Sequence, residues 1–348
     1  MSISRRELFK FAGAAGVLGV APALVHAQKL ETSKVHIAVG GKPLTYYLPL
    51  TIAERKGYFK DEGLDVTISD FAGGSKALQA VVGGSADVVS GAYEHTINLQ
   101  SKGQFYRCVV LQGRAPMMAI GVSTKSMAGY KSPADLKGKK IGVTAPGSST
   151  SMMVNFFLAK HGLKPSDVAF IGVGAGAGAV TALRSGQIDA ICNLDPVLSV
   201  LQAAGDIQII VDTRSLKDTI DIFGGNMPAG CLYTSQNFID VNPNTTQALV
   251  NAMVRADKWI QTAGAEVVAK AVPESYLLGD PAVYTLSVTK GLEGMSPDGM
   301  MPADGPATAL KALEAFTPDI AAAKIDLSKT WTNDFAIRAN AKYPNVNV

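Results

Sequence analysis

The stretch Pro146-Gly147-Ser148-Ser149-Thr150-Ser151 puts four hydroxyls in succession after a strand-like run, Lys140-Ile141-Gly142-Val143, and at the head of a helical one. The first amides of a helix have no partner within it and carry the positive end of its dipole. Such a start suits an anion or another strongly accepting group. A helix cap needs one hydroxyl and contributes about 0.5–2 kcal/mol. Four exceed that need, so Gly147, Ser148, Ser149 and Thr150 are candidate ligand contacts. The Gly-Lys-Ser/Thr ending of a nucleotide loop is missing, and with it the lysine that meets phosphates.

Other residues could share that site. Tyr46 and Tyr47 offer an aromatic body with a polar tip, and adjacent positions on a strand exit send one toward a ligand and the other into the core. Thr45 precedes them. Gly74, Ser75, Ser90 and Tyr93 occupy two further loops, with His95 just beyond as a donor or proton acceptor. Arg114 could clamp a carboxylate or sulfonate with two parallel bonds. Asn193 and Asn226 stand after later strands, and Asp195 beside Pro196 could meet an amine or simply serve its turn. His36, His95 and His161 lack metal-ligand spacing, and Gly174-Ala175-Gly176-Ala177-Gly178 resembles a dinucleotide turn only in glycine content. No metal or cofactor is expected. Neither a Ser/His/Asp order nor paired carboxylates stand on recognisable motifs, so no catalytic residue is assigned.

The N-terminus bears on compartment. Arg5-Arg6-Glu7-Leu8-Phe9-Lys10, an apolar run to Val25 and then His26-Ala27 follow the order of a secretory signal. Residues 1–27 are read as that signal, similar to the twin-arginine type, with an ordinary Sec signal as the alternative. Its removal lowers the net charge from +3 to +1. A charge that small does not suggest nucleic acid as a partner. Cys108, Cys192 and Cys231 are too few and scattered for a disulfide framework and read as buried thiols.

The elements that must position these residues alternate. Strand-like runs at 35–40, 64–69 and 86–90 are separated by helical patterns, and the order recurs at 140–143, 168–173 and 188–192. That alternation predicts an α/β chain with mixed, mostly parallel sheets. A helix–glycine–Asp–strand unit appears at both 78–89 and 180–191, so two similar lobes are written in series. An amphipathic helix follows over 243–262, with Ala248, Leu249, Ala252, Met253 and Ala256 on one side.

The blocks YYLPLTIAERKGYFKDEGLDVTISDFAGGSKALQAVVGGSADVV (46–89), LKGKKIGVTAPGSSTSMMVNFFLAKHGL (136–163) and VTALRSGQIDA (180–190) resemble the substrate-binding proteins of ABC importers for alkanesulfonates, taurine, nitrate and thiamine-pyrimidine precursors. The resemblance implies a type II periplasmic-binding-protein fold: two α/β lobes, a two-stranded hinge and a ligand cleft between them. It assigns 34–123 and 224–348 to lobe one and 124–223 to lobe two. It also implies a periplasmic monomer that captures a small-molecule solute by lobe closure and delivers it to a membrane permease. The solute expected here is a small organic anion with a sulfonate or carboxylate head, an aromatic tail being one form it takes; a neutral pyrimidine precursor is the alternative. A pyrimidine synthase of the same fold carries a cysteine-rich iron motif that the isolated cysteines here do not match.

Overall fold

The computed structural model describes residues 29–348; the signal segment read at 1–27 lies outside them. Ten strands build two five-stranded sheets. The first contains β1 (Lys34–Gly40), β2 (Asp65–Phe71), β3 (Val88–Ala92), β4 (Tyr106–Leu111) and β10 (Gly230–Ser235), in the order β2-β1-β3-β10-β4. The second contains β5 (Met118–Ser123), β6 (Lys140–Val143), β7 (Ala169–Gly172), β8 (Ala190–Leu194) and β9 (Ile207–Asp212), in the order β7-β6-β8-β5-β9. In each sheet four strands point the same way, and one, β10 in the first and β5 in the second, runs antiparallel between two of them. The periplasmic-binding-protein architecture read from the sequence is the one observed.

Sequence patterns explain the layout. Central β3 and β8 are buried along their whole length, as strands covered on both faces by helices must be. Edge strand β2 exposes part of every turn of its pleat. The helix Pro243–Ala263 begins with proline at its first position and buries Ala248, Leu249, Ala252, Met253, Ala256, Trp259 and Ile260. Proline is pre-organised there, because the first helical amide needs no partner. Among the described residues, no helix is long and apolar enough to cross a membrane.

Two features depart from the sequence reading. Strand β4 opens with Tyr106-Arg107 and was not anticipated. Strand β5, read as the end of lobe one, pairs with β8 and β9 in the second sheet. The crossing between lobes is therefore made at 112–117, and the return runs through 213–229. The two crossings are tied together: the Met117 amide donates to the Thr213 carbonyl (3.1 Å) and the Thr213 amide donates to the Met118 carbonyl (2.8 Å).

The carboxyl end of β1 shows how closely the backbone is packed beneath the cleft. A Cβ on Gly40 would stand 2.2 Å from the Gly74 amide nitrogen and 2.3 Å from the Gly73 carbonyl carbon. Only glycine fits there, and it lets the helix Gly74–Val82 start directly over the strand end.

Candidate functional site

The lobes are closed on one another. From lobe one, the Ser75 amide donates to Ser148 Oγ (3.0 Å) and Ser75 Oγ donates to the Pro146 carbonyl (2.9 Å). The Thr45 amide donates to the Asp195 carbonyl (2.9 Å). Between these latches lies a small, partly open pocket lined by both lobes. Lobe one contributes Gly40, Leu44, Tyr46, Tyr47, Gly74, Ala92 and His95 to it, and lobe two contributes Met118, Thr144, Ser148, Ser149, Thr150 and Leu194.

The hydroxyl run divides its labour. Ser148 takes the N-cap position of the helix Ser149–Lys160, yet its side chain caps nothing in that helix and binds Ser75 across the gap. Ser149 Oγ donates to Glu94 Oε1 of lobe one. Thr150 Oγ1 accepts from the Thr144 amide (3.1 Å) and bonds the Thr144 hydroxyl. Ser151 turns back on its own loop, accepting from the Gly147 amide (2.9 Å). The amides of Ser149 and Thr150 bond no backbone carbonyl, as the first turn of a helix dictates. Gly147 has φ +80°, a left-handed geometry that glycine adopts without strain.

Facing them, Tyr46 and Tyr47 meet edge to face, ring centroids 4.8 Å apart. Both line the pocket and both also belong to the buried core beneath it, so neither is given over to one role. The single 3-10 turn Thr45–Tyr47 is responsible, because it rotates consecutive side chains off the strict alternation of a strand. His95 Nδ1 bonds the Tyr233 hydroxyl at 2.9 Å. Its Nε2 and the Tyr46 hydroxyl are buried with no partner at full hydrogen-bonding geometry, the Gly147 backbone lying near the first and Ser149 near the second. Leaving such a group unsatisfied costs about 1–3 kcal/mol.

Several predicted contacts belong elsewhere. Ser90 Oγ accepts from Gln112 Nε2 within lobe one (2.9 Å), since the pleat turns it away from the cavity. The Tyr93 hydroxyl bonds Thr330 at 2.6 Å, and its ring joins the core under β3 and β10. Arg114 Nε donates to the Glu293 carbonyl (2.9 Å), serving the crossing segment. Asn193 Nδ2 donates to the Gly174 carbonyl (3.1 Å) and its Oδ1 accepts from the Leu194 amide. Asn226 is bound to Asp304 by backbone and side chain. Thr45 and Ser75 act as latches across the gap, and Gly147 shapes the turn. The Asp195 carboxylate accepts from Ser199 and faces Arg214 inside lobe two.

Glu94 is the residue that sequence reasoning missed. It is buried in the first turn of the helix Glu94–Gln100, and burial pushes its carboxyl pKa up, against the lowering effect of the Ser149 bond. Burial also lowers His95 from 6.5 to about 4, so its imidazole is neutral at pH 7. No lysine or arginine is among the cavity residues.

His95 carries a prediction. Its folded pKa lies below the unfolded value, so acidification protonates the unfolded chain first and stability is lost as pH falls from 6.5 toward 4. The stability difference between the wild type and His95→Gln should shrink by about 3 kcal/mol across that window. Urea unfolding at pH 7.0 and 4.5 measures it; parallel pH profiles would refute the assignment.

Comparison with known proteins agrees with this architecture. The model of the NMT1-like family matches residues 28–272. The chain belongs to the NMT1-like family. A Bacillus subtilis (strain 168) protein named as a binding protein, YtlA, is 23% identical to this member over 262 residues, 74% of this chain and 75% of its own. A Saccharomyces cerevisiae protein named 4-amino-5-hydroxymethyl-2-methylpyrimidine phosphate synthase THI13 is 27% identical over 236 residues, 66% and 68% of the two chains. A solved protein of Bordetella bronchiseptica RB50 is 76% identical with TM-score 0.91, covering 91% of this chain and 100% of its own. The alkanesulfonate-binding protein SsuA of Xanthomonas axonopodis pv. citri, bound to MOPS, shares the fold at TM-score 0.65 and 21% identity, covering 86% and 98%.

Proposed function

We propose that this NMT1-like protein is an extracytoplasmic solute-binding component of an ABC importer, acting without chemistry, that closes its two lobes on a small uncharged solute rich in hydrogen-bonding groups. The observation that carries the reading is the pair of unpartnered groups, Tyr46 Oη and His95 Nε2, buried in one cavity between lobes. A solute that pairs with both removes their cost only when the lobes are shut, and this differential favours the closed state. Closure of this kind is the hinge motion that couples capture to delivery.

The lining argues for an uncharged head. Tyrosine and serine hydroxyls and a neutral imidazole offer both donors and acceptors, and an amino-substituted pyrimidine matches that set. The yeast relative is named for a 4-amino-5-hydroxymethyl-2-methylpyrimidine phosphate, and only the ring of that molecule bears on this choice, since its phosphate is charged. A second reading, the organic anion, rests on the free amides of Ser149 and Thr150 at the positive end of their helix. Opposing it, Glu94 lines the adjoining space and bonds Ser149 at that same helix start. Binding without catalysis is supported by the cysteines: Cys192 lies in β8, Cys108 and Cys231 lie in the other sheet, and all three are buried.

A thermal-shift screen of protein unfolded and refolded to strip carried-over solute tests the reading. At about 100 times its dissociation constant a ligand adds roughly 2.7 kcal/mol of stability. A saturable shift with 4-amino-5-hydroxymethyl-2-methylpyrimidine, and none with alkanesulfonates, carboxylates or nitrate, is the expected result. The reverse pattern would establish the anion.

A further inference from the structure

The Thr45 and Ser75 amides of lobe one both donate across the gap, Thr45 to the Asp195 carbonyl (2.9 Å) and Ser75 to Ser148 Oγ (3.0 Å). Among the described residues, neither amide has an acceptor within its own lobe. The Ser75 acceptor sits on the 146–151 loop, which its own hydrogen bonds hold. The Asp195 carbonyl sits on the turn between β8 and the helix Val197–Ala203, and a buried charge from the hinge reaches behind it.

That charge is Arg214. Its backbone follows Thr213, whose hydroxyl, amide and carbonyl bind the return crossing to Met117 and Met118 of the outgoing one. The buried Arg214 side chain turns into lobe two. There Nε donates to both Asp212 carboxylate oxygens (2.9 and 3.1 Å), and Nη2 donates to Asp212 Oδ2 (2.6 Å) and Gln202 Oε1 (3.1 Å). Nη1 has no hydrogen-bond partner and stands 3.6 Å from Asp195 Oδ2. Asp195 gives its other oxygen, Oδ1, to the Ser199 amide and hydroxyl, so Oδ2 is the face it turns to Arg214. A buried pair of this kind keeps one geometry, because parting it leaves a charge uncompensated. The planar guanidinium also makes the link directional, which a lysine's point charge does not.

We infer that Arg214 is a positioning residue for lobe closure: it ties the return crossing to the Asp195 turn and thereby presents the Asp195 carbonyl to Thr45 as the lobes shut. Lobe two swings about the crossings, and the link keeps the Asp195 turn in fixed register with that axis, so the carbonyl arrives opposite the Thr45 amide. Thr45 opens the 3-10 turn that carries Tyr46 and Tyr47, so the same link sets where the pocket's two aromatic rings stand. This rests on the solute-binding reading, in which closure is the act of capture, and deepens it by naming the residue that joins hinge to pocket.

Amide hydrogen exchange followed by NMR on the refolded, solute-free protein tests the link, since the Thr45 and Ser75 amides lose their acceptors when the lobes part. Arg214→Gln should speed exchange at both amides by at least tenfold, while the Ile141 and Ile191 amides in the core of lobe two change less than twofold. Ser75 belongs to the other latch and bonds neither Arg214 nor Asp195, so its response separates lobe opening from local loosening at Thr45. Asp195→Asn keeps the carbonyl that Thr45 uses and removes the charge that faces Arg214. It should reproduce the pattern, and adding it to Arg214→Gln should change the rates less than twofold further, as two partners in one link must. Asp195→Asn also carries the test alone if Arg214→Gln fails to fold, as judged by circular dichroism. An unchanged Ser75 amide, equal acceleration in the lobe-two core, or additive effects of the two substitutions overturns the inference. No solute enters this experiment, so a thermal-shift screen without a hit leaves the link standing, and a failure here leaves the solute reading intact.

Discussion

Gly73→Val will bind solute about 10- to 100-fold more weakly than the wild type while melting within a few degrees of it. Gly73 adopts an extended backbone, φ −176° and ψ 167°, that any residue accepts, so the substitution strains nothing within lobe one. A Cβ at this position would lie 2.8 Å from Ala145 Cβ and 3.0 Å from both the Ala145 amide nitrogen and Ser148 Oγ. All of these belong to lobe two. The clash therefore appears only on closure, and overpacking of this kind costs about 1–3 kcal/mol. Calorimetric titration measures the affinity, and X-ray scattering with and without solute measures the closure. An unchanged affinity would mean that the closed arrangement seen here is not the capturing state.

Glu94→Ala should weaken an uncharged solute about 10- to 100-fold, because it removes the carboxyl that holds the Ser149 hydroxyl on the pocket wall. The same substitution should strengthen binding of an anion, because it frees the Ser149 hydroxyl that Glu94 now engages at the helix start. The sign of the change therefore decides between the two ligand classes. Glu94→Gln keeps the shape and the bond to Ser149, and it isolates protonation. Burial raises the folded pKa of Glu94, so the native chain holds a proton that the unfolded chain has released. Its contribution to stability is present below the ordinary carboxylate range and is lost as pH rises through the raised value. Urea unfolding across pH 4 to 8 should show that slope in the wild type and not in Glu94→Gln. Matching slopes would place the proton elsewhere.

Much of this site was readable because its parts are local. The 146–151 loop and the tyrosine pair each lie at the end of a strand whose pattern is clear, and position within such a loop is enough to bring a residue near the cleft. Side-chain direction was not readable. Ser90 and Tyr93 occupy the right loop and face the wrong way, since strand pleat and core packing orient them toward Gln112 and Thr330. Glu94 was passed over because an acidic residue in the first turn of a helix is what the dipole favours in any protein. Nothing in its neighbours reveals that the opposite lobe buries it. Strand β5 was misassigned for a similar reason: it is placed by pairing with β8 and β9, which are distant in sequence.

The order in which the strands leave the ribosome is written into the same topology. Strand β10 fills the gap between β3 and β4, but it is synthesised only after every strand of the second sheet. The second lobe, by contrast, is continuous from β5 to β9, and its two ends meet at Met118 and Thr213. Domains fold as units as they emerge, so the inserted lobe can be complete while the sheet that flanks it still lacks β10 between β3 and β4. Until β10 arrives, β3 and β4 have open edges, the state most exposed to wrong pairing. The last third of the chain, which carries β10 and the long helix Pro243–Ala263, thus works as the closing piece of the molecule's first third.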